Sequence, residues 1–413
     1  MKRLRGFGVA GVLALAALFG LGGGQALAAQ VSCGEVITQD TRVDNDLINC
    51  PVNGLVIGAD DVTLDLNGHT IDGTGSGIGV VGENGDAFGS KGPDAVTIEN
   101  GTIREFSNGI LLYGATGSHL ARLSVTGSIH LEHSPNALIE KSEVDGYIAV
   151  SYGAFARIEA NRVSGGIQLG SSGAGVIARN HVSGGAIRIG EESSDLVEDN
   201  VVSHAPGPGI FLGSGIFLTS AGDTVVVRNR VTAGGGPGVQ VNPSFGANEI
   251  KENVISDNAG IGIRLDHSLA EKISPDRVER NVVYNNSDGI FDNDDGGSLL
   301  SENRIYGNRA SGIIVGNLSL RFQVVKNRVW ANGRNGIFVW QGGVFSGLIE
   351  GNSVTRNGGN GIDDQTPGNT VTDNRAIKNV DFGIEAVPGV IDGGGNRAFG
   401  NGNPLQCLNV VCK

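Results

Sequence analysis

The segment Glu279 to Gly297 reads ERNVVYNNSDGIFDNDDGG, and its second half sets Asp292, Asn293, Asp294 and Asp295 side by side. Acids at that density can do chemistry in two ways. Their oxygens can surround a hard cation such as Ca²⁺, which takes oxygen ligands at about 2.3–2.6 Å. They can also exchange protons with a substrate, one carboxyl acting as acid and another as base or nucleophile. A solvated acidic turn before the glycines is the plain alternative. Arg264, Asp266 and His267 form a second polar group upstream, and Phe338, Trp340, Asp363 and Asp364 follow downstream. What the groups can do together depends on the elements that carry them.

Those elements repeat. An Asn followed two residues later by an apolar residue recurs at Asn161, Asn180, Asn200, Asn229, Asn253, Asn281, Asn303, Asn327, Asn352, Asn374 and Asn396. The mean interval is about 23 or 24 residues, a period that marks a repeat architecture. A polar turn follows each Asn phrase, and then Gly-Ile-x-apolar, as in GIQL, GIRL, GIIV and GIFV. VTIENGTI, HLARLSV and ALIEKSEV fit the same frame without the Asn. Three apolar stretches of three to five residues per repeat are too short for helices and suit alternating strands. One repeat cannot bury its own Val and Ile, whereas stacked repeats can. The expected fold is all-β: a solenoid of about fifteen coils with three short parallel sheets, roughly 70 Å long at about 4.8 Å per rung.

Composition agrees. Glycine supplies 69 of 413 residues and aromatics only 5 %, which fits frequent turns better than an aromatic core. Residues 1–28 read as a secretory signal, with Lys2, Arg3 and Arg5, an uncharged apolar run, and Ala26-Leu27-Ala28 as the cleavage site. No other run is long enough to span a bilayer, so a secreted or periplasmic location is expected. The four cysteines form two local pairs, predicting Cys33–Cys50 and Cys407–Cys412 disulfides in an oxidising compartment. Residues 29–61 and 402–413 are the expected caps, and 62–401 the solenoid. The formal charge of −13 disfavours nucleic acid as a partner. It also repels anionic polysaccharides unless cations bridge the two.

The repeat resembles the right-handed parallel β-helix of the pectate-lyase-like superfamily over about Val62 to Asn401. The NRV, NVV and NSV phrases match that family's Asn-ladder turn, where a short amide tolerates a left-handed turn and bonds its copy one rung away. GI-x-L matches the first strand of each coil. In related lyases, hydrolases and epimerases, substrate lies along the sheet made of these first strands. The resemblance therefore places Leu111, His130, Ala149, Gln168, Arg188, Phe211 or Phe217, Gln240, Arg264, Phe291, Ile314, Phe338, Asp363 and Glu385 in one outward column.

The stretch from Gln240 onward gathers the reactive types. It implies a Ca²⁺ site at Asp266, Asp292, Asp294 and Asp295, with Arg264, His267 and Asp294 as catalytic groups. Phe291, Phe338, Trp340 and Asp363 would contact a sugar chain. A calcium-assisted polysaccharide lyase is the expected activity, with a hydrolase using Asp266 and Asp294, or Asp363 and Asp364, beside it. A non-catalytic scaffold, adhesion or glycan-binding protein is the alternative from another class. The Asp-Pro-His-Asp of the mannuronan epimerases is absent, as are the Asn-Thr-Asp, Gly-His-Gly and Arg-Ile-Lys motifs of the polygalacturonases.

Overall fold

A computed structural model describes residues 27–82, 92–170, 173–190, 194–212, 223–242, 247–266, 275–293, 297–316, 319–342 and 346–413. The expected signal peptide lies outside these residues except for its last positions. Leu27–Ala29 form a strand that pairs with Thr41–Val43.

All regular elements are parallel strands of a coiled solenoid, and each pairs with its counterpart in the next coil. In the coil containing the acidic cluster, the first strand is Ile290–Asn293, the second Leu299–Ser301 and the third Arg304–Tyr306. They pair respectively with Ile313–Val315, Gln323–Val325 and Arg328–Trp330 of the next coil. Strands this short follow from the sequence, since a turn residue interrupts every apolar run after about three positions. Coiling starts earlier than expected. Glu35–Ile37 pairs with Leu55–Ile57, and Leu47–Cys50 with Ile71–Gly73, so residues 29–61 already belong to the solenoid. Disulfides Cys33–Cys50 and Cys407–Cys412 close the two ends, with Cα atoms 5.4 and 6.1 Å apart.

Inward side chains form continuous columns. Ile263, Ile290, Ile313, Ile337, Ile362 and Ile384 stack with no solvent exposure. Each buries roughly 1.5–3 kcal/mol of side-chain transfer free energy, and only neighbouring coils supply the cover.

All eleven Asn of the repeat are buried. Asn281 shows the pattern: its backbone N–H and its Nδ2 both donate to Asn303 Oδ1, at 2.9 and 3.1 Å, and Nδ2 also donates to Ile250 O. The left-handed residue is the one before the amide: Arg280, Glu302 and Lys326 have φ of 54°, 56° and 54°. The ladder Asn is thus selected for its bonds and not for its backbone. A second ladder runs five residues later through Asn258, Asn286, Asn308, Asn332, Asn357, Asn379 and Asn401, again with side-chain amides donating to the next copy. The polar turn after each Asn phrase is therefore a second structural corner.

Candidate functional site

Strand alternation decides which expected groups meet. In Ile290–Asn293, residues 290 and 292 point inward, and 291 and 293 outward. The register aligns Arg264 with Phe291, Leu265 with Asp292, and Asp266 with Asn293. Phe291 then aligns with Ile314, Ile314 with Phe338, Phe338 with Asp363, and Asp363 with Glu385. The outward column expected from the GI-x-L phrases is therefore one continuous face.

Its C-terminal half begins with a cation–aromatic group. The Arg264 guanidinium lies 5.7 Å from the Phe291 ring centroid and pairs through Nε with Asp266 Oδ2. Phe291 and Trp340 meet edge to face with centroids 5.8 Å apart, although a whole coil separates them. Gly316 stands in that intervening coil, where a Cβ would come 2.4 Å from Asn293 Oδ1. Trp340 is 40 % exposed, enough to offer part of a ring to a ligand.

Two carboxyls follow, one rung apart. Asp363 Oδ2 accepts from Asn335 Nδ2 at 2.9 Å, and its Oδ1 accepts from Gln365 Nε2. Asn360 Nδ2 donates to Glu385 Oε2 at 2.6 Å, and Asn335 Oδ1 receives the Asn360 backbone N–H. Burial pushes the Asp363 carboxyl above its ordinary range, against the lowering effect of its amide hydrogen bonds. Amides on three sides thus hold one protonatable acid, and a second acid, Glu385, stands on the next rung, its backbone about 4.8 Å away by strand spacing.

The other expected groups separate. Asp292 is fully buried, where its Oδ1 accepts from Ser298 Oγ at 3.0 Å and its carbonyl accepts from Ser319 Oγ. Asp266 and Asp292 therefore occupy opposite faces of one sheet and do not converge on an ion. Asp363 and Asp364 are split likewise. Asp364 points inward, its Oδ1 accepting from Asn369 Nδ2 and the Thr366 N–H, and burial raises its pKa to about 6. Its Oδ2 is buried without a hydrogen-bond partner. Asp292 and Asp364 thus secure the loop that leaves the first strand, in slots where other coils place Leu or Val. His267, Asp294 and Asp295 lie outside the described residues. Among the described residues no group of three His, Cys, Asp or Glu side chains is arranged to hold a metal.

The N-terminal half of the face carries a histidine and tyrosine group that the repeat pattern alone does not single out. His133 stacks on Tyr152 with centroids 4.7 Å apart and contacts Tyr113, while His130 packs against Tyr147. Burial lowers the His130 pKa. The available signal was a tyrosine on the coils either side of His130, visible only once the coils are aligned. Asn335 and Asn360 were also missed, because they sit in turns that vary from coil to coil.

A family model described as the right handed beta helix region matches residues 92–268 and 274–409. No curated protein matches the sequence. Among solved structures, a double mutant of the periplasmic alginate epimerase AlgG is similar over 68 % of this chain and 76 % of its own, at 15 % identity and a TM-score of 0.50. A mutant tailspike protein of the E. coli bacteriophage HK620, in complex with a pentasaccharide, aligns over 78 % and 71 % at 13 % identity, with a TM-score of 0.48. The A-module of the Azotobacter vinelandii mannuronan C-5 epimerase AlgE6 aligns over 84 % and 90 % at 13 % identity, with a TM-score of 0.40. The likeness to AlgG shows a shared fold. With the family model covering most of its length, the chain belongs to the right-handed β-helix family.

Proposed function

We propose that this protein binds an extracytoplasmic polysaccharide along the C-terminal half of its first-strand face and cleaves a glycosidic bond there. The observation that carries the reading is the placement of Asp363 and Glu385 on adjacent rungs, next to the exposed Trp340. Side chains rooted one rung apart can bring their carboxyls to about 5–5.5 Å, the spacing at which one group donates a proton to the leaving oxygen while the other attacks the sugar. Burial of Asp363 favours its protonated form and makes it the acid; Glu385 is then the nucleophile. Trp340 and Phe338 offer apolar surface for sugar rings. The two disulfides support an extracytoplasmic location. The similarly folded AlgG is a periplasmic alginate epimerase, which accords with this reading, although the reading rests on the chain's own residues.

The calcium-assisted lyase reading keeps one supporting observation: Asp266 and Asn293 face outward side by side at the edge of the acidic loop. A glycan panel incubated with and without Ca²⁺ separates the two. New reducing ends without ultraviolet absorbance support hydrolysis, whereas an unsaturated product formed only with Ca²⁺ supports elimination. If Asp363→Asn and Glu385→Gln leave turnover intact, the assignment is wrong.

A further inference from the structure

The third strands of the C-terminal coils carry a strip of a different kind. Arg304 aligns with Arg328, Arg328 with Ser353, Ser353 with Arg375, and Arg375 with Arg397. The four arginines are exposed, and none makes an ion pair among the described residues. Glu302 and Asp373, two residues upstream of Arg304 and Arg375, precede the Asn-ladder corner and pair with neither. Beside the arginines, Tyr284, Tyr306 and Trp330 stack face to face, with successive centroids 5.0 and 4.5 Å apart. The Arg328 guanidinium lies 6.0 Å from the Trp330 centroid, and that of Arg375 5.6 Å from Phe399.

Like charges on adjacent strands repel, and a chain of net charge −13 has many acids that could have been interleaved. One earlier coil does place an acid there: Glu143 aligns with Arg162 at this same position. The stacked rings turn their edges outward, and the edge is the electropositive side of an aromatic ring. Guanidinium N–H groups, phenol hydroxyls and the indole N–H make the strip rich in donors, which suits a ligand of carboxylate oxygens. Arg304 and Arg328 stand one rung apart, as do Arg375 and Arg397, with Ser353 on the rung between the two pairs; a rung of about 4.8 Å is on the order of one pyranose ring.

We infer that this strip binds an anionic polysaccharide of uronic-acid type, at a site separate from the first-strand groove. The inference goes beyond the proposed cleavage and does not depend on it. A nucleic acid would bring a denser phosphate charge against a protein of net charge −13. The strip thus gives an acidic protein a local foothold for an acidic glycan without a bridging cation.

The test is titration calorimetry of the full chain with polymannuronate oligosaccharides. The starting protein is a Trp340→Ala/Asp363→Asn variant, so that the groove does not contribute. Binding is expected to persist there, to weaken as salt rises, and to fall about tenfold or more in an added Arg328→Gln/Arg375→Gln pair whose melting temperature is unchanged. Arg328→Lys should retain most of the affinity. Unchanged affinity in the glutamine pair overturns the inference. So does loss of all binding in the groove variant, or tight binding of single-stranded DNA with none of the uronate. Failure of the groove reading appears separately, as normal glycan turnover in Asp363→Asn.

Discussion

Coils before Asn161 and coils after Gln240 share one register, yet they use their slots differently. In the earlier coils the second inward slot of the first strand holds Leu112, Leu131 and Val150, all buried. In the later coils that slot holds Asp292 and Asp364 alongside Val315 and Val339. Outside, the earlier half presents Tyr113, Tyr147 and Tyr152 around two histidines, whereas the later half joins rings to carboxyls. The corners differ too. Ser142 occupies the ladder slot one rung before Asn161, whose Oδ1 accepts its N–H at 3.0 Å. Identical backbones therefore serve as a plain scaffold at one end and a loaded one at the other. The buried acids of the later half find donors within a few residues of the same coil: Ser298 for Asp292, and Thr366 and Asn369 for Asp364.

The sharpest way to break that contrast is catalytic. Asp363→Asn and Glu385→Gln should each lower turnover by roughly 10²-fold or more, while Glu132→Gln in the earlier half should leave it unchanged. Reducing-end release on the responsive glycan is the measurement, and equal losses in both halves would erase the distinction.

Next in size is the buried acid. The Asp364 pKa rises from 3.8 to about 6 on folding, so the folded state holds its proton more tightly. Stability is then greatest below about pH 4 and declines as pH rises to about 6, by roughly 3 kcal/mol in total from this group. Asp364→Asn should flatten that decline and raise stability near neutral pH. Urea unfolding at pH 4.5 and 7.5 checks it, and Leu131→Met, its counterpart in the earlier half, should leave the pH dependence unchanged.

The corners come third. Asn303→Ala strands the Asn281 backbone N–H and amide and should cost about 2–3 kcal/mol. Ser142→Ala removes a hydroxyl that serves only Leu123 N and Glu140 O, and should cost about 1 kcal/mol. Thermal melts distinguish the two, and an equal cost would mean that serine and asparagine corners are interchangeable.

The smallest expected effect separates the aromatic groups. Trp340→Ala should weaken glycan binding several-fold, about 1 kcal/mol, and Tyr152→Ala should weaken it less. A larger loss at Tyr152 would move the main binding surface to the earlier half.

The sequence was informative wherever physics repeats. Inward Ile columns and ladder Asn recur at spacings that stacked coils explain; the cysteines, two local pairs outside that period, form the two expected disulfides. Asp292 was legible as an acid in an apolar slot, because alternation fixes its direction. Its partner Ser298 was not, since it lies in a loop whose length changes between coils. The partners of Asp363 were hidden for the same reason: Asn335 and Asn360 look like any turn residues until the coils are superposed. The second ladder could have been seen in the constant offset of five residues from each repeat Asn.

The uniform ladder also makes the rod a ruler with a fixed graduation. Excising residues 303–326 would hand Asn281 directly to Asn327 and bring Phe291 level with Phe338, with both hydrogen-bonded corners restored. Span along the molecule thus changes only by whole graduations. A lineage that lost or gained one would shift its reading frame on a sugar chain by a single step, without needing to reinvent the fold.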